Sequence, residues 1–283
     1  MPSQRDIRRR ITASKNIRQI TRAMQFVAAS KLRRAQESTL AARPYSELLD
    51  EILADLATVL SGDEHPLLSR REEGKRLIVL VTSDRGLAGP LNTNAIRFAA
   101  KEIVEQPGEL ELVSVGRKGR DAMRRAHVPI IAHFAGFGDR PGFEEVLPIS
   151  RLISDEYEAG TYNQVDVIFT RFISTLVQRA DMVQLLPIKP RPDTGGIPGS
   201  QFIFEPAPEI VLDELLPRYV GTRLFQTALE STASFFSSQM VAMMNATENA
   251  DELIEDLTLS FNKARQANIT SELIEIASGA QVR

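Results

Sequence analysis

The chain of 283 residues contains no cysteine and no tryptophan. The absence of cysteine excludes disulfide bonds, thiolate metal sites and a cysteine nucleophile. Apolar runs are also short, as at residues 77–81, whereas a bilayer span takes about 20 apolar residues. The first residues lack the apolar core of a signal peptide. Their basic, acid-poor composition resembles a transit peptide, but we expect mature structure because the pattern continues into an amphipathic helix.

Groups that could perform chemistry are scarce. The three histidines, His65, His127 and His133, do not have the spacing of helical metal ligands, and none has a serine or cysteine nucleophile nearby. The segment Ser83-Asp84-Arg85 could place a carboxylate in a cleft, but we predict a loop ion pair instead. We therefore predict no catalytic residue, no metal site and no cofactor.

Two glycine motifs admit a structural and a functional interpretation. Gly86 and Gly89 lie between a predicted strand and a predicted helix, as in a phosphate-binding loop, but the third glycine and the Lys-Ser/Thr pair of a P-loop are missing. The run 116–119 (GRKG) has the GXXG spacing of an RNA-binding KH loop, without stacking aromatic residues. Both motifs favour a tight turn between a strand and a helix.

The ends of the chain have opposite charge, although the net charge of the whole is only −3. Residues 1–45 contain eleven Lys or Arg against two acidic residues, a net charge of +9. Residues 221–283 contain four Lys or Arg against eight acidic residues, a net charge of −4. Opposite charge favours the two ends lying together.

The C-terminal segment predicts a very long helix. No proline follows Arg218, and an unbroken helix over 222–278 would be roughly 85 Å long at about 1.5 Å per residue. Such a helix needs a partner along most of its length. Steps of three and four residues predict a coiled-coil seam of mostly small or soft side chains. The predicted seam is Phe225, Leu229, Thr232, Phe236, Met240, Met243, Thr247, Ala250, Leu253, Leu257, Ser260, Ala264, Ala267, Ser271 and Ile274.

The N-terminal segment predicts the other half of this coiled coil. We expect a helix from Ser3 that ends at Pro44, followed by a second helix over 45–60. Its apolar positions are Ile7, Ile11, Ile17, Ile20, Met24, Val27, Ala28, Leu32 and Ala35. If both terminal helices attach to one side of the middle of the chain, they run antiparallel, and the C-terminal helix continues past the N-terminus as a single apolar tip.

A second hypothesis for the basic N-terminal helix is contact with nucleic acid. A continuous basic helix beside a coiled coil can enter the major groove of DNA. Here the basic residues share the helix with the apolar positions, and no separate zipper follows. Phosphate binding is possible on charge alone, and acidic protein loops would suit the same side chains.

The middle of the chain alternates strands and helices, which predicts a mostly parallel sheet covered by helices. The predicted fold class is α/β: a long antiparallel coiled coil of N- and C-terminal helices with an inserted Rossmann-like α/β domain. The predicted divisions are residues 1–60 (the N-terminal helices), 75–205 (the central domain) and 209–283 (the C-terminal helix). Residues 187–199 read as a linker rich in proline and glycine, and a last short strand is predicted at 202–204.

Three motifs closely resemble the gamma subunit of F-type ATP synthases. They are residues 17–36 (IRQITRAMQFVAASKLRRAQ), 83–92 (SDRGLAGPLN) and 240–269 (MVAMMNATENADELIEDLTLSFNKARQANI). The resemblance extends over essentially the whole chain in the same order. It implies the central-stalk rotor of a proton-translocating F1Fo ATP synthase, which couples rotation of the membrane c-ring to changes in the catalytic beta subunits and performs no bond chemistry itself.

The resemblance also implies partners and contact residues. The partners are the alpha and beta subunits of the F1 ring, the epsilon subunit and the c-ring, with no nucleic acid. The expected location is peripheral, on the cytoplasmic face of a bacterial plasma membrane with an organellar inner membrane as the alternative, and membrane association is only through the complex. The residues that match ring contacts of the family are Met24, Lys31, Arg33, Arg34, Arg265, Gln266, Thr270 and Ile274.

Overall fold

A computed structural model describes residues 3–59, 65–106, 108–189 and 207–280. Five helices and five strands follow one another along these segments. They are α1 (Gln4–Val59), β1 (Lys75–Val81), α2 (Leu91–Glu105), β2 (Leu110–Val115), α3 (Arg117–Arg125), β3 (Ile130–Phe134), α4 (Phe143–Glu158), β4 (Tyr162–Phe172), β5 (Gln178–Leu186) and α5 (Pro208–Ala280). The predicted α/β fold with two long terminal helices is confirmed, and the strand predicted at 202–204 lies outside the described residues.

Contacts divide the chain into two compact units. The first consists of residues 1–29 and 239–283, and the second of residues 30–238. We call them the terminal unit and the central unit. The three-part division predicted from the sequence stays a prediction.

The central unit contains a five-stranded sheet in the order β3-β2-β1-β4-β5. The first four strands are parallel, and β5 returns antiparallel to β4 as a hairpin. Side chains alternate between the two faces of each strand. On β1, Leu77 and Val79 join a core with α1, α4 and α5, whereas Ile78 and Leu80 join a separate core with α2 and α3. Burial on both faces explains the continuous apolar run of β1.

Helix α1 does not end at Pro44, contrary to the prediction. Proline removes one backbone hydrogen bond and usually breaks a helix. Here the following turns pack against α5 within the central unit: Leu49 is buried, and Ser46 Oγ donates to Gln226 Oε1 at 3.2 Å. We attribute the continuity of α1 to this packing, which offsets the lost bond.

The terminal unit is an antiparallel pair of helical segments. The guanidinium of Arg8 lies 5.3 Å from the ring centre of Phe261, Arg18 pairs with Asp251 at 2.8 Å, and the hydroxyls of Thr21 and Thr247 are hydrogen-bonded at 2.8 Å. The residue number on α5 falls as that on α1 rises, so the predicted antiparallel arrangement is confirmed.

The seam of this pair differs in part from the predicted one. Buried and half-buried positions recur at alternating steps of three and four, and they include polar side chains. On α1 they are Gln4, Ile7, Ile11, Ser14, Arg18, Thr21, Gln25 and Ala28; on α5 they are Met243, Thr247, Ala250, Ile254, Leu257, Phe261 and Ala264. The predicted Leu253 and Ser260 are exposed, because Ile254 and Phe261 keep the regular alternation that the prediction broke.

The GRKG motif carries the chain from β2 into α3, as predicted: Gly116 lies between the two elements, and residues 117–119 begin α3. Gly116 has φ +89° and ψ 147°, a conformation that essentially only glycine adopts. A β-carbon there would lie 2.1 Å from the carbonyl oxygen of Thr82. The amide of Gly119 donates to Thr82 Oγ1 at 2.8 Å. Backbone conformation and close approach of β1 therefore explain both glycines.

A polar network links three strands where β1, β2 and β4 begin. Glu111 Oε2 accepts a hydrogen bond from the buried Tyr162 hydroxyl at 2.5 Å, and its Oε1 accepts one from Lys75 Nζ at 3.0 Å. The Tyr162 hydroxyl and then the Lys75 ammonium hold the pKa of Glu111 below its ordinary value. Burial is the main cause that raises the pKa of Tyr162.

We expect Glu111→Gln to destabilise the chain at pH 7 by about 1–2 kcal/mol, since it removes the charge from two hydrogen bonds. A lowered pKa in the folded state contributes stability above the unfolded value, and this contribution is lost as pH falls through the folded pKa. The difference from wild type should therefore shrink below about pH 4.5. Urea unfolding at a series of pH values measures it. The control is Glu109→Gln, whose side chain is exposed; equal effects of the two substitutions would contradict the role assigned to Glu111.

We expect Gly116→Ala to lower the free energy of unfolding by more than about 3 kcal/mol, because it combines a disfavoured φ with a clash against the Thr82 carbonyl. The matched control is Gly108→Ala, where a β-carbon meets nothing within 4 Å. Chemical denaturation of both variants checks the prediction. A Gly116→Ala chain as stable as Gly108→Ala would show that the turn relaxes freely.

Candidate interaction surface

An apolar stripe on α1 faces away from the seam of the terminal unit. Ile17, Ile20 and Val27 are 53%, 59% and 54% exposed, and Met24 between them is half-buried. The prediction that Ile17, Ile20 and Val27 belong to the seam is wrong, because Ser14, Arg18, Thr21 and Gln25 occupy it. We call Ile17, Ile20, Met24 and Val27 the outer stripe. Its steps of three, four and three residues are those of a face that packs against a partner.

The last turns of α5 have no partner helix among the described residues. Arg8 lies at the level of Phe261, so the first turn of α1 comes level with the turn before Arg265. All described side chains from 265 onward are exposed, including the predicted contact residues Arg265, Gln266, Thr270 and Ile274. Apolar Ile269, Leu273 and Ile274 are among them. The predicted single-helix tip is confirmed to this extent; the side chains of 276, 277, 280 and 282 lie outside the described part.

Two of the predicted basic residues are available at the surface of the central unit. Arg33 is 83% exposed and pairs with Glu37 one turn later on the same helix at 3.1 Å. Arg34 is exposed, and its Nε donates to the carbonyl oxygen of Ser30 at 3.3 Å. Such exposed pairs contribute little to stability, about 0.2–1 kcal/mol. Both guanidinium groups therefore stay accessible to a partner.

Lys31 differs from these arginines. Its ammonium lies 2.5 Å from Asp139 Oδ2 and 5.5 Å from the ring centre of Phe236. Both partners belong to the central unit, as Lys31 does. Its charge is thus already compensated within the unit, and a ring contact by Lys31 stays a prediction.

Asp84 acts as an acceptor in the loop after β1. Its carboxylate accepts the backbone amides of Arg117 at 2.9 Å and Gly136 at 2.8 Å, and it lies 3.6 Å from the guanidinium of Arg117. The ion pair predicted within the loop is not the one observed: Asp84 pairs with Arg117 of α3, and Arg85 lies 3.7 Å from Asp139. Because Arg117 opens α3, the Asp84 carboxylate occupies the place at a helix N-terminus where a phosphate would bind.

Metal ligation and membrane insertion have no support in the described segments. There, no group of three or more His, Asp or Glu side chains is positioned to hold a metal ion. Within its described residues, no helix has both the length and the apolar character needed to cross a membrane.

Comparison with known proteins identifies close relatives over the full length. A family model described as ATP synthase matches residues 3–282. The ATP synthase gamma chain of Desulfitobacterium hafniense is 47% identical over 281 residues, and that of Pelotomaculum thermopropionicum 45% identical over 280 residues. In both comparisons the match spans 99% of each chain.

Solved structures of similar fold come from mitochondrial ATP synthases. A chain of the Euglena gracilis OSCP/F1/c-ring structure has a TM-score of 0.68 at 17% identity, covering 99% of this chain and 94% of that one. A chain of the Tetrahymena thermophila central stalk and c-ring structure has a TM-score of 0.61 at 22% identity, covering 80% and 99%. These likenesses establish the fold, and the sequence matches establish the relationship. The chain belongs to the ATP synthase gamma chain family.

Proposed function

We propose that this chain is the central-stalk rotor subunit of a proton-translocating F1Fo ATP synthase. It couples rotation of the membrane c-ring to conformational changes in the catalytic beta subunits. The observation that carries the proposal is the antiparallel helix pair whose longer partner continues as a single exposed helix. The chain itself is non-catalytic, and ADP and phosphate are joined elsewhere in the complex.

The partners follow from this assignment. The outer stripe of α1 and the tip of α5 face the alpha and beta subunits of the ring, and the central unit meets the epsilon subunit and the c-ring. The chain is held at the cytoplasmic face of the membrane only through the complex. The bacterial relatives named ATP synthase gamma chain support this location.

The small and polar seam suits a rotor inside a narrow ring. Ala28, Ser14 and Ala250 let two helices approach closely, so the pair stays slim. The surface side chains then meet each ring subunit in turn. Contacts of about 0.2–1 kcal/mol allow exchange between successive partners, whereas a tight interface would stop rotation.

Charge pairing within the chain argues against the nucleic-acid hypothesis. Arg18 and Lys31 each have an acidic partner in the same chain, Asp251 and Asp139. Phosphate binding by these groups would require breaking those pairs. The charge of the first 45 residues is therefore partly neutralised, and a nucleic acid is not a proposed partner.

Arg33 and Arg34 are proposed to adjust coupling without being needed for assembly. Reversing both charges, Arg33→Glu with Arg34→Glu, should leave the complex assembled and lower proton-driven ATP synthesis about two- to fivefold, the effect of up to about 1 kcal/mol. The measurement is ATP synthesis by the reconstituted complex in vesicles under an imposed proton gradient.

The matched control reverses two other exposed arginines of the central unit, Arg97→Glu on α2 and Arg125→Glu on α3. It should leave the rate close to wild type. Unchanged synthesis in the Arg33/Arg34 variant would remove the proposed role, and failure of that variant to assemble would show that these charges build the complex instead.

A further inference from the structure

A cavity of about 230 Å³ lies in the central unit at the carboxyl edge of the sheet. We infer that it is a binding site for a neutral aromatic small molecule that carries one hydrogen-bonding group. Rotation of the chain in a ring does not require such a ligand, so the inference goes beyond the proposed function.

The position of the cavity is that of ligand sites in open parallel sheets. The connection from β1 leads to β2 on one side, and the connection from β3 crosses to β4 on the other side of β1. The strand order thus reverses between β1 and β4, and such sheets bind ligands outside the carboxyl ends of their strands at this point. Val81 at the end of β1 and Thr170 near the end of β4 line the cavity, and residues of α5 form another of its sides.

The walls are predominantly apolar and aromatic. The apolar and aromatic lining residues include Leu91, Val115, Phe137, Phe235 and Phe236. An apolar cavity of about 150 Å³ in another protein is large enough to bind benzene. A cavity of about 230 Å³ therefore has room for a molecule of two fused rings.

The charged groups at the cavity favour a neutral ligand. Four of its lining residues carry charge, and each has a partner of opposite sign: Asp84 lies 3.6 Å from Arg117, and Asp139 lies 3.7 Å from Arg85. Asp139 also pairs with Lys31. A charged ligand would have to displace one of these pairs.

A phosphate is disfavoured for a further reason. The first amides of α3 already donate to protein acceptors: that of Arg117 to Asp84 Oδ1, that of Lys118 to the carbonyl oxygen of Ser83 and that of Gly119 to Thr82 Oγ1. The N-terminus of α3, a place at this edge where an anion could bind, is therefore filled by the chain itself.

One lining residue offers an unused hydrogen-bonding group. Ser231 Oγ on α5 is buried and has no hydrogen-bond partner. Among the described residues, only one other side-chain oxygen, Ser154 Oγ, is buried without a partner. Buried polar groups are normally paired, so each exception calls for an explanation. No hydrogen bond fixes the Ser231 hydroxyl in its rotamer, and rotation about one torsion would turn it toward a ligand.

The test measures binding of two probes, 2-naphthol and naphthalene, to the full chain by ligand-observed saturation-transfer NMR. Both probes should bind. Filling the cavity with Ser231→Leu or, separately, Thr232→Leu should abolish binding, whereas Ser260→Leu at an exposed position of α5 should not. Far-UV circular dichroism confirms that each variant is folded.

Ser231→Ala tests the hydrogen bond to the Ser231 hydroxyl separately from the volume of the cavity. It should raise the Kd of 2-naphthol about fivefold and that of naphthalene less than about twofold, since only 2-naphthol can bond to the hydroxyl. Equal changes for both probes would overturn the role of Ser231. The site would be overturned if neither probe bound the wild-type chain. It would also be overturned if binding persisted in both filled variants.

Discussion

The pairing of residues near the N-terminus with residues near the C-terminus is the constraint on which the terminal unit depends. Neither segment is apolar enough around its surface to be stable as a lone helix, and each supplies the half-buried face that the other covers. The seam contains Ser14, Thr21 and Thr247, and the two threonines are bonded directly to each other. Polar residues in a seam cost stability and fix its register. The terminal unit thus combines weak cohesion with a defined alignment of its helices.

In the central unit, a carboxylate of the chain occupies the N-terminus of α3, a position where an anion could bind. Asp84 binds the amides of Arg117 and Gly136, where a phosphate would otherwise be held. The glycines of the following turn are explained by Thr82, which approaches Gly116 and Gly119 closely. The chain itself therefore satisfies this helix terminus, and the cavity beside it lies where the strand order reverses between β1 and β4.

Much of the fold could be predicted from the sequence because its signals are local. The apolar run of β1, the alternation of strands and helices and the long proline-free C-terminal segment each indicate their structure directly. The continuity of α1 through Pro44 could not be predicted in this way, because it depends on packing against α5, a contact between residues far apart in the chain.

The candidate surface was predictable only in part. On α1 two apolar stripes overlap, and hydrophobicity alone assigns Ile17 and Ile20 to the seam, where the structure places Ser14 and Thr21. Continuing the steps of three and four from Ile7 and Ile11 would have found Ser14, Arg18 and Thr21. From the sequence alone, the charge on Lys31 is expected to be free to contact another subunit. Its partner Asp139 is more than a hundred residues away along the chain, so the sequence does not show this ion pair.

A cross-link tests the central claim, the antiparallel register of the terminal unit, most directly. The chain has no cysteine of its own, so a variant with Thr21→Cys and Thr247→Cys contains a single possible disulfide. The 2.8 Å separation of the two hydroxyls predicts that it forms readily under mild oxidation, whereas Ile20→Cys with Thr247→Cys should not cross-link, because Ile20 faces outward. Cross-linking of the second pair but not the first would contradict the register and, with it, the slim helix pair on which the proposed rotor depends.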